Sequence, residues 1–145
     1  MKRPRHTYPA RFKNGGEEVD EPVGEFGAVV VVENVFHYRQ FKPLVEGDNV
    51  FGRWVHGTEI NQSLETTDPS IDTKHCIIRV ERKKNGQLRW LLRDAPSNTG
   101  TFYMNDILRD QDRMPLSDGD IITIGATTMI FRAPQDDSDF ISLNQ

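Results

Sequence analysis

The chain has 145 residues, 36% of them hydrophobic and 28% charged, enough for one hydrophobic core with a short arm to spare but not for two independent cores. Its 18 basic and 22 acidic side chains leave a net charge of −4, which argues against a protein that coats nucleic acid. A single cysteine, Cys76, excludes an internal disulfide framework and suits a reducing, cytoplasmic compartment; with four scattered histidines, no two candidate ligands stand at zinc-site spacing, so neither a metal nor another cofactor is expected.

In chain order, the first 13 residues carry Lys2, Arg3, Arg5, Arg11 and Lys13 and no acid. The segment Asn14 to Pro22 is polar and acidic. Neither piece has hydrophobic periodicity or the apolar stretch of a secretory signal, so residues 1–22 are expected to form a flexible arm. A folded domain is expected over 23–133 and an acidic tail over 134–145. That tail ends in Phe140, Ile141 and Leu143, which either dock back on the body or play no part. The apolar run Ala28 to Val32 is far shorter than the ~20 residues of a membrane-spanning helix, and no membrane insertion is expected.

Within the domain the signals are those of short strands, with no helical stripe. β-branched residues dominate from Val29 to Val35, and Phe36 to Phe41 alternates loosely before Pro43, as an edge strand does. Asn49 to Val55 follows the turn Glu46-Gly47-Asp48. Cys76, Ile78 and Val80 share one face, as do Leu88, Trp90 and Leu92. Between these two runs, Asn85-Gly86 predicts a tight hairpin with both central residues at positive φ. Ile121 to Ile124 and Thr128 to Phe131 form a last pair around Gly125-Ala126. This pattern predicts an all-β sandwich or barrel.

The more informative residues lie at the junctions: Phe51-Gly52-Arg53, Asp68 to His75, Ser97 to Phe102, and Leu116 to Gly125. Their order and spacing resemble the forkhead-associated (FHA) domain, which has a Gly-Arg at a strand end, a Ser-x-x-His loop, an Asn-Gly-Thr turn and a late Gly-Asp-x-Ile-x-x-Gly segment. The resemblance runs from Val29 to Phe131. It implies a twisted β-sandwich of about eleven short strands, and loops at one end that recognise phosphothreonine peptides without catalysis. A phosphate dianion suits such a site, because a guanidinium meets two of its oxygens with a planar fork while hydroxyl and N–H donors fill the remainder.

Position by position, the resemblance implies that Arg53 contacts phosphate and that Gly52 makes room beside it. His75 would tie loops together, Gly100 and Thr101 would end the second binding loop, and Thr73, Lys74, Asn98 and Thr99 would flank the ligand. Asn105-Asp106 falls at a family hairpin, and Gly119, Asp120 and Gly125 match turn-shaping positions. Two positions depart from the pattern: Asp72 replaces the family serine, and Thr99 the family asparagine, with Asn98 one place earlier. A carboxylate about 5 Å from a phosphate dianion, at an effective dielectric of ~40–80, repels it by about 2–3 kcal/mol. Two partner readings follow. In the first, a phosphorylated protein partner binds through Arg53. In the second, Asp72 pairs with Arg53 as an internal stand-in for phosphate, and an unphosphorylated protein partner binds elsewhere. Ser70 and Thr73 are candidates to replace the missing hydroxyl. Thr7, Thr66 and Thr67 are candidate phosphorylation positions, and no nucleic-acid partner is expected.

Overall fold

The computed structural model describes residues 21–134 throughout, together with the backbone of two short strands, β1 (Phe12–Lys13) and β2 (Glu17–Glu18), which pair antiparallel. All but the first residue of the expected tail 134–145, Thr7 and most of the arm lie outside the described residues. The remaining strands are β3 (Ala28–Val31), β4 (Gln40–Pro43), β5 (Gly47–Arg53), β6 (Gln62–Leu64), β7 (Cys76–Arg82), β8 (Leu88–Asp94), β9 (Thr101–Tyr103), β10 (Asp106–Ile107), β11 (Met114–Pro115), β12 (Ile121–Ile124) and β13 (Thr127–Arg132). They form a six-stranded sheet in the order β10-β9-β12-β13-β3-β4 and a five-stranded sheet in the order β11-β8-β7-β5-β6. The β5–β6 pair is parallel and every other pairing in the two sheets is antiparallel. The described residues contain no helix, and the fold is the all-β sandwich expected from the strand pattern.

Alternation decides which side chains enter the core. Val29, Val31, Met129, Phe131, Ile122 and Ile124 face inward from the larger sheet, opposite Phe51, Leu64, Ile78, Val80 and Leu92 from the smaller. Each such side chain contributes roughly 1.5–3 kcal/mol of transfer free energy. At one side of the core Trp90 packs on Phe131, with ring centroids 5.2 Å apart, and donates its indole N–H to the Phe26 carbonyl at 2.8 Å.

Two turns differ from expectation. The β7–β8 connection has only Gly86 at positive φ, +88°. The Lys83 N–H donates to Gln87 O at 2.7 Å, and the Gly86 N–H to Lys83 O at 2.9 Å. The loop therefore holds three residues, a turn followed by a left-handed glycine, and that geometry leaves Asn85 at ordinary negative φ. The two-residue turn with both residues at positive φ occurs instead at Met104 (55°) and Asn105 (100°), between the paired Tyr103 and Asp106.

A buried polar knot locks β4, β5, β6 and β7 in register. Asn49, fully buried, accepts from the Val45 N–H (2.9 Å) and from Gln62 Nε2 (3.0 Å). It donates to the carbonyls of Val45 (2.8 Å) and Ile78 (3.1 Å), while Gln62 also donates to Pro43 O at 2.8 Å. Replacing Asn49 with alanine strands several of these groups at once. Urea denaturation of Asn49→Ala is expected to show a loss of about 2–4 kcal/mol with an unchanged m-value.

Candidate functional site

Five connections meet at one end of the sandwich: 32–39, 54–61, 65–75, 95–100 and the Gly125-Ala126 turn. The 65–75 segment is fixed from three sides. His37 accepts from the Thr66 hydroxyl through Nδ1 at 2.6 Å and donates through Nε2 to Val32 O at 3.1 Å. The Thr67 hydroxyl donates to Phe36 O at 3.2 Å. Thus Thr66 and Thr67, candidate phosphorylation positions, hold this segment against the 32–39 connection.

Asp68, 1% exposed, reaches the other sheet. Its Oδ1 accepts from the Ser70 hydroxyl (2.5 Å) and N–H (2.9 Å), and its Oδ2 from the Ala126 N–H (2.9 Å). Burial works against its ionisation, but these bonds, with a further one from Thr127, outweigh it and hold the carboxyl below its ordinary value. Gly125 sits at φ +56°, and a Cβ there would lie 2.6 Å from Ser70 Oγ and 2.9 Å from Ile71, so this turn and this loop pack against each other only without a side chain.

The third fixing point is Gly52. A Cβ on it would fall 2.3 Å from the Thr73 carbonyl oxygen and 2.9 Å from that of Asp72. The room it makes is for the Asp72–Thr73 backbone, and Arg53 benefits indirectly. The Arg53 N–H donates to Asp72 O at 2.9 Å and its Nε donates to Ile71 O at 2.9 Å. Among the described residues the terminal guanidinium nitrogens have no hydrogen-bond or ion-pair partner.

Asp72 does not pair with Arg53. Its Oδ2 accepts from the Asn98 N–H at 2.7 Å and its Oδ1 from the Asn98 side-chain amide at 3.2 Å. The expected internal stand-in for phosphate is therefore not formed, because the neighbouring loop supplies two donors to the carboxylate while the Asp72 carbonyl, not its carboxylate, meets Arg53. Asn98 likewise does not stand open in place of the family asparagine: its N–H groups clasp Asp72. The Thr99 hydroxyl donates to Ser70 O at 3.0 Å. Ser70 is no replacement hydroxyl either, since its own is held by Asp68. Thr73 and Lys74 are exposed, and neither side chain has a partner among the described residues. They border an open depression of about 400 Å³ that is also lined by the 55–60 loop.

His75 is fully buried and bridges both loops. Its Nδ1 accepts from the Asp72 N–H at 3.0 Å, which leaves the proton on Nε2, and this donates to Gly100 O at 2.9 Å. Neither nitrogen faces Cys76, whose thiol is pushed well above its ordinary pKa by burial and then by the charge of Asp94; no nucleophile–base pair exists here. Thr101 donates its hydroxyl to Asp94 Oδ1 at 2.6 Å, alongside the Ser97 hydroxyl at 2.6 Å, and the Ser97 N–H reaches Asp94 Oδ2 at 2.8 Å. Ser97 Oγ accepts in turn from the Gly100 N–H at 2.9 Å. Burial opposes ionising Asp94, yet these donors outweigh it and hold its carboxyl below the ordinary value.

Asp68 and Asp94 organise the two loops, and sequence reasoning did not single out either. The available signal was the spacing Asp-x-Ser and Asp-x-x-Ser, in which the carboxylate closes a turn on the following N–H and hydroxyl.

The chain is thus of the class of all-β sandwiches whose braced loops gather at one end, here around the Arg53 guanidinium. The comparisons specify it further. The FHA domain family model matches residues 49–125, and the chain belongs to that family. An FHA domain-containing protein of Arabidopsis thaliana is 34% identical over 79 residues; the match covers 54% of this chain and 18% of that protein's length. A solved FHA domain from work on phosphothreonine-dependent FHA interactions superposes with a TM-score of 0.59 at 26% identity, covering 76% of this chain and 99% of that one. The FhaA FHA domain, complexed with the intracellular domain of Rv3910, gives 0.57 at 27% identity, covering 73% and 99%. The MEK1 FHA domain with a HOP1 phosphothreonine peptide gives 0.61 at 22% identity, covering 77% and 100%, a likeness of fold.

Two measurements check this architecture. Gly52→Ala must displace the Asp72–Thr73 backbone and is expected to cost about 1–3 kcal/mol, with the largest amide chemical-shift changes in 71–75 and 97–100. Because Asp68 has a depressed pKa in the fold, its contribution is full above the unfolded-state value near ~4 and disappears as pH falls through the folded value. Asp68→Asn is therefore expected to lower stability by about 1–3 kcal/mol at pH 7, and the gap to wild type to close in denaturation curves taken at falling pH below ~4.

Proposed function

We propose that this domain is a non-catalytic module that recognises a phosphothreonine-containing protein partner, with Arg53 as the principal phosphate ligand. Thr73 and Lys74 supply further donors, and Asn98 and Thr99 flank the peptide. Gly52, His75, Gly100 and Thr101 support the loops without touching the ligand. The observation that carries this reading is the Arg53 guanidinium, whose terminal nitrogens have no partner among the described residues, at a loop end where Asp72, in the serine's place, is bonded to Asn98 instead. The relatives point the same way, since solved FHA domains of similar fold are described in phosphothreonine-dependent interactions and in complex with another protein. We place the domain over 23–133, between an arm and an acidic tail, in a cytoplasmic signalling role. Separately, no helix among the described residues is long and apolar enough to cross a membrane.

Asp72 remains an anion beside the site, so affinity is tuned downward relative to a serine at this position. Its two bonds from Asn98 spread part of that charge into the loop but do not remove it. Lys74 compensates in part as a mobile point charge.

The experiment is calorimetric titration of phosphothreonine peptides against wild type, Arg53→Ala and Asp72→Ser. Arg53→Ala is expected to weaken binding by at least ~30-fold, and Asp72→Ser to tighten it by ~10–100-fold. A partner whose affinity is the same with and without phosphate, and indifferent to Arg53→Ala, overturns the reading in favour of phosphate-independent binding.

A further inference from the structure

The terminal nitrogens of Arg53 and the ammonium of Lys74 have no partner among the described residues, and each cation has a carboxylate for a neighbour. Beside Arg53 is Asp72, whose backbone carbonyl accepts from the arginine N–H at 2.9 Å while its carboxylate turns to Asn98 on the 95–100 connection. Beside Lys74 is Glu59. It is exposed, lines the same depression of about 400 Å³, and likewise has no partner among the described residues. A chain of net charge −4 does not draw phosphate by its overall field, and two carboxylates close to the phosphate position oppose it locally. That opposition discriminates: it is relieved only for a ligand that brings cations of its own.

Both carboxylates have the capacity to meet such cations. Asn98 takes one acceptor site on each Asp72 oxygen, and a carboxylate offers about four in all, so both oxygens keep room for an incoming donor. At Glu59 the depression is also lined by Val55 and Ile60, each half-buried. An aliphatic wall under an unpaired carboxylate matches a side chain with an apolar stem and a cationic head. The wall is formed before any ligand arrives, because the Thr58 N–H donates to Val55 O at 2.9 Å, the Val55 N–H donates to Thr58 Oγ1 at 2.9 Å, and Gly57 closes the turn at φ +92°.

We infer, resting on the phosphothreonine reading above, that the preferred ligand is a phosphothreonine flanked by basic residues. The phosphate binds Arg53 and Lys74. An arginine or lysine on one flank reaches Glu59 along Val55 and Ile60, and a second on the other flank reaches Asp72. Asp72 in the serine's place is then a selecting residue: it penalises every phosphopeptide, and least the one that carries a cation to meet it.

The test is calorimetric titration of a phosphothreonine peptide with alanine at the three positions on each side, and of its variants with arginine or glutamate at each of those positions in turn. Arginine at one position on each flank is expected to tighten binding by about 2–5-fold over alanine, and glutamate there to weaken it by about the same factor. Glu59→Gln is expected to erase the preference on one flank and Asp72→Ser on the other, so that Asp72→Ser tightens the alanine peptide more than the matching arginine peptide. Glu46→Gln, exposed just before β5 at the opposite end of the sandwich, makes the same change in net charge and is expected to leave both preferences in place. A flat scan, or a preference for glutamate, overturns the basic-flank preference while Arg53-dependent phosphate binding stands. So does an arginine preference that survives both site variants or is lost equally in Glu46→Gln, since bulk charge then accounts for it. Equal affinity for the phosphorylated and unphosphorylated forms removes the phosphothreonine reading itself, and the flank preference with it.

Discussion

The loop end depends on one crossing, the passage of the Asp72–Thr73 peptide over β5 at a position without a side chain. With Gly52 there, the loop backbone comes close enough for Arg53 to bond it twice, through its own N–H and through Nε. The arginine is thereby oriented by main-chain carbonyls rather than by a carboxylate. This matters for an anion site: a carboxylate partner would hold the guanidinium equally well but would also neutralise it, whereas carbonyl acceptors take up one edge of the fork and leave the charge intact. Strand position, loop path and guanidinium direction are consequences of the same missing methyl group.

Around that crossing two carboxylates, Asp68 buried and Asp94 partly exposed, do what backbone pairing cannot. Loops carry many N–H groups without strand partners, and burying them unsatisfied is costly. Asp68 gathers donors from its own loop and from the turn of the opposite sheet; Asp94 gathers those of the 97–101 segment. Each is charged because several donors converge on it, and each has its pKa depressed for that reason. His75 then joins the two loops by using one ring nitrogen as acceptor and the other as donor, which ties the two carboxylate-centred turns together. The Asp72–Asn98 clasp adds a second bridge on the solvent side.

Alternation from Cys76 to Val80 and from Leu88 to Leu92 marked two strands and their inward faces, and Pro43 marked an edge strand, because these signals depend only on local periodicity. The Gly-Arg, x-x-His and Gly-Thr junctions located the loop end because they recur as a set at one spacing. Direction of side chains was not legible in the same way. That Asp72 faces Asn98 rather than Arg53 depends on how two loops distant in sequence approach each other, and no spacing within either loop encodes it. The Asn85-Gly86 turn failed for a related reason: the dipeptide permits a two-residue turn, but the register of the flanking strands, Arg82 with Leu88, requires one more residue. Met104 adopting positive φ carried no warning in composition at all; its place is dictated by the short β9–β10 ribbon and by the bond from its N–H to Ile121 O at 2.9 Å.

The four margins of the two sandwich sheets share a property that bears on how partners are engaged. β10 and β11 have two residues each, β6 has three, and β4 ends in Pro43, while β11 also contains Pro115. None offers an uninterrupted ladder of free N–H and C=O groups on which an incoming peptide could extend the sheet. The sandwich margins therefore offer little to backbone augmentation, the route by which many small β domains capture extended ligands, and leave side chains and turns as the natural grips for a peptide.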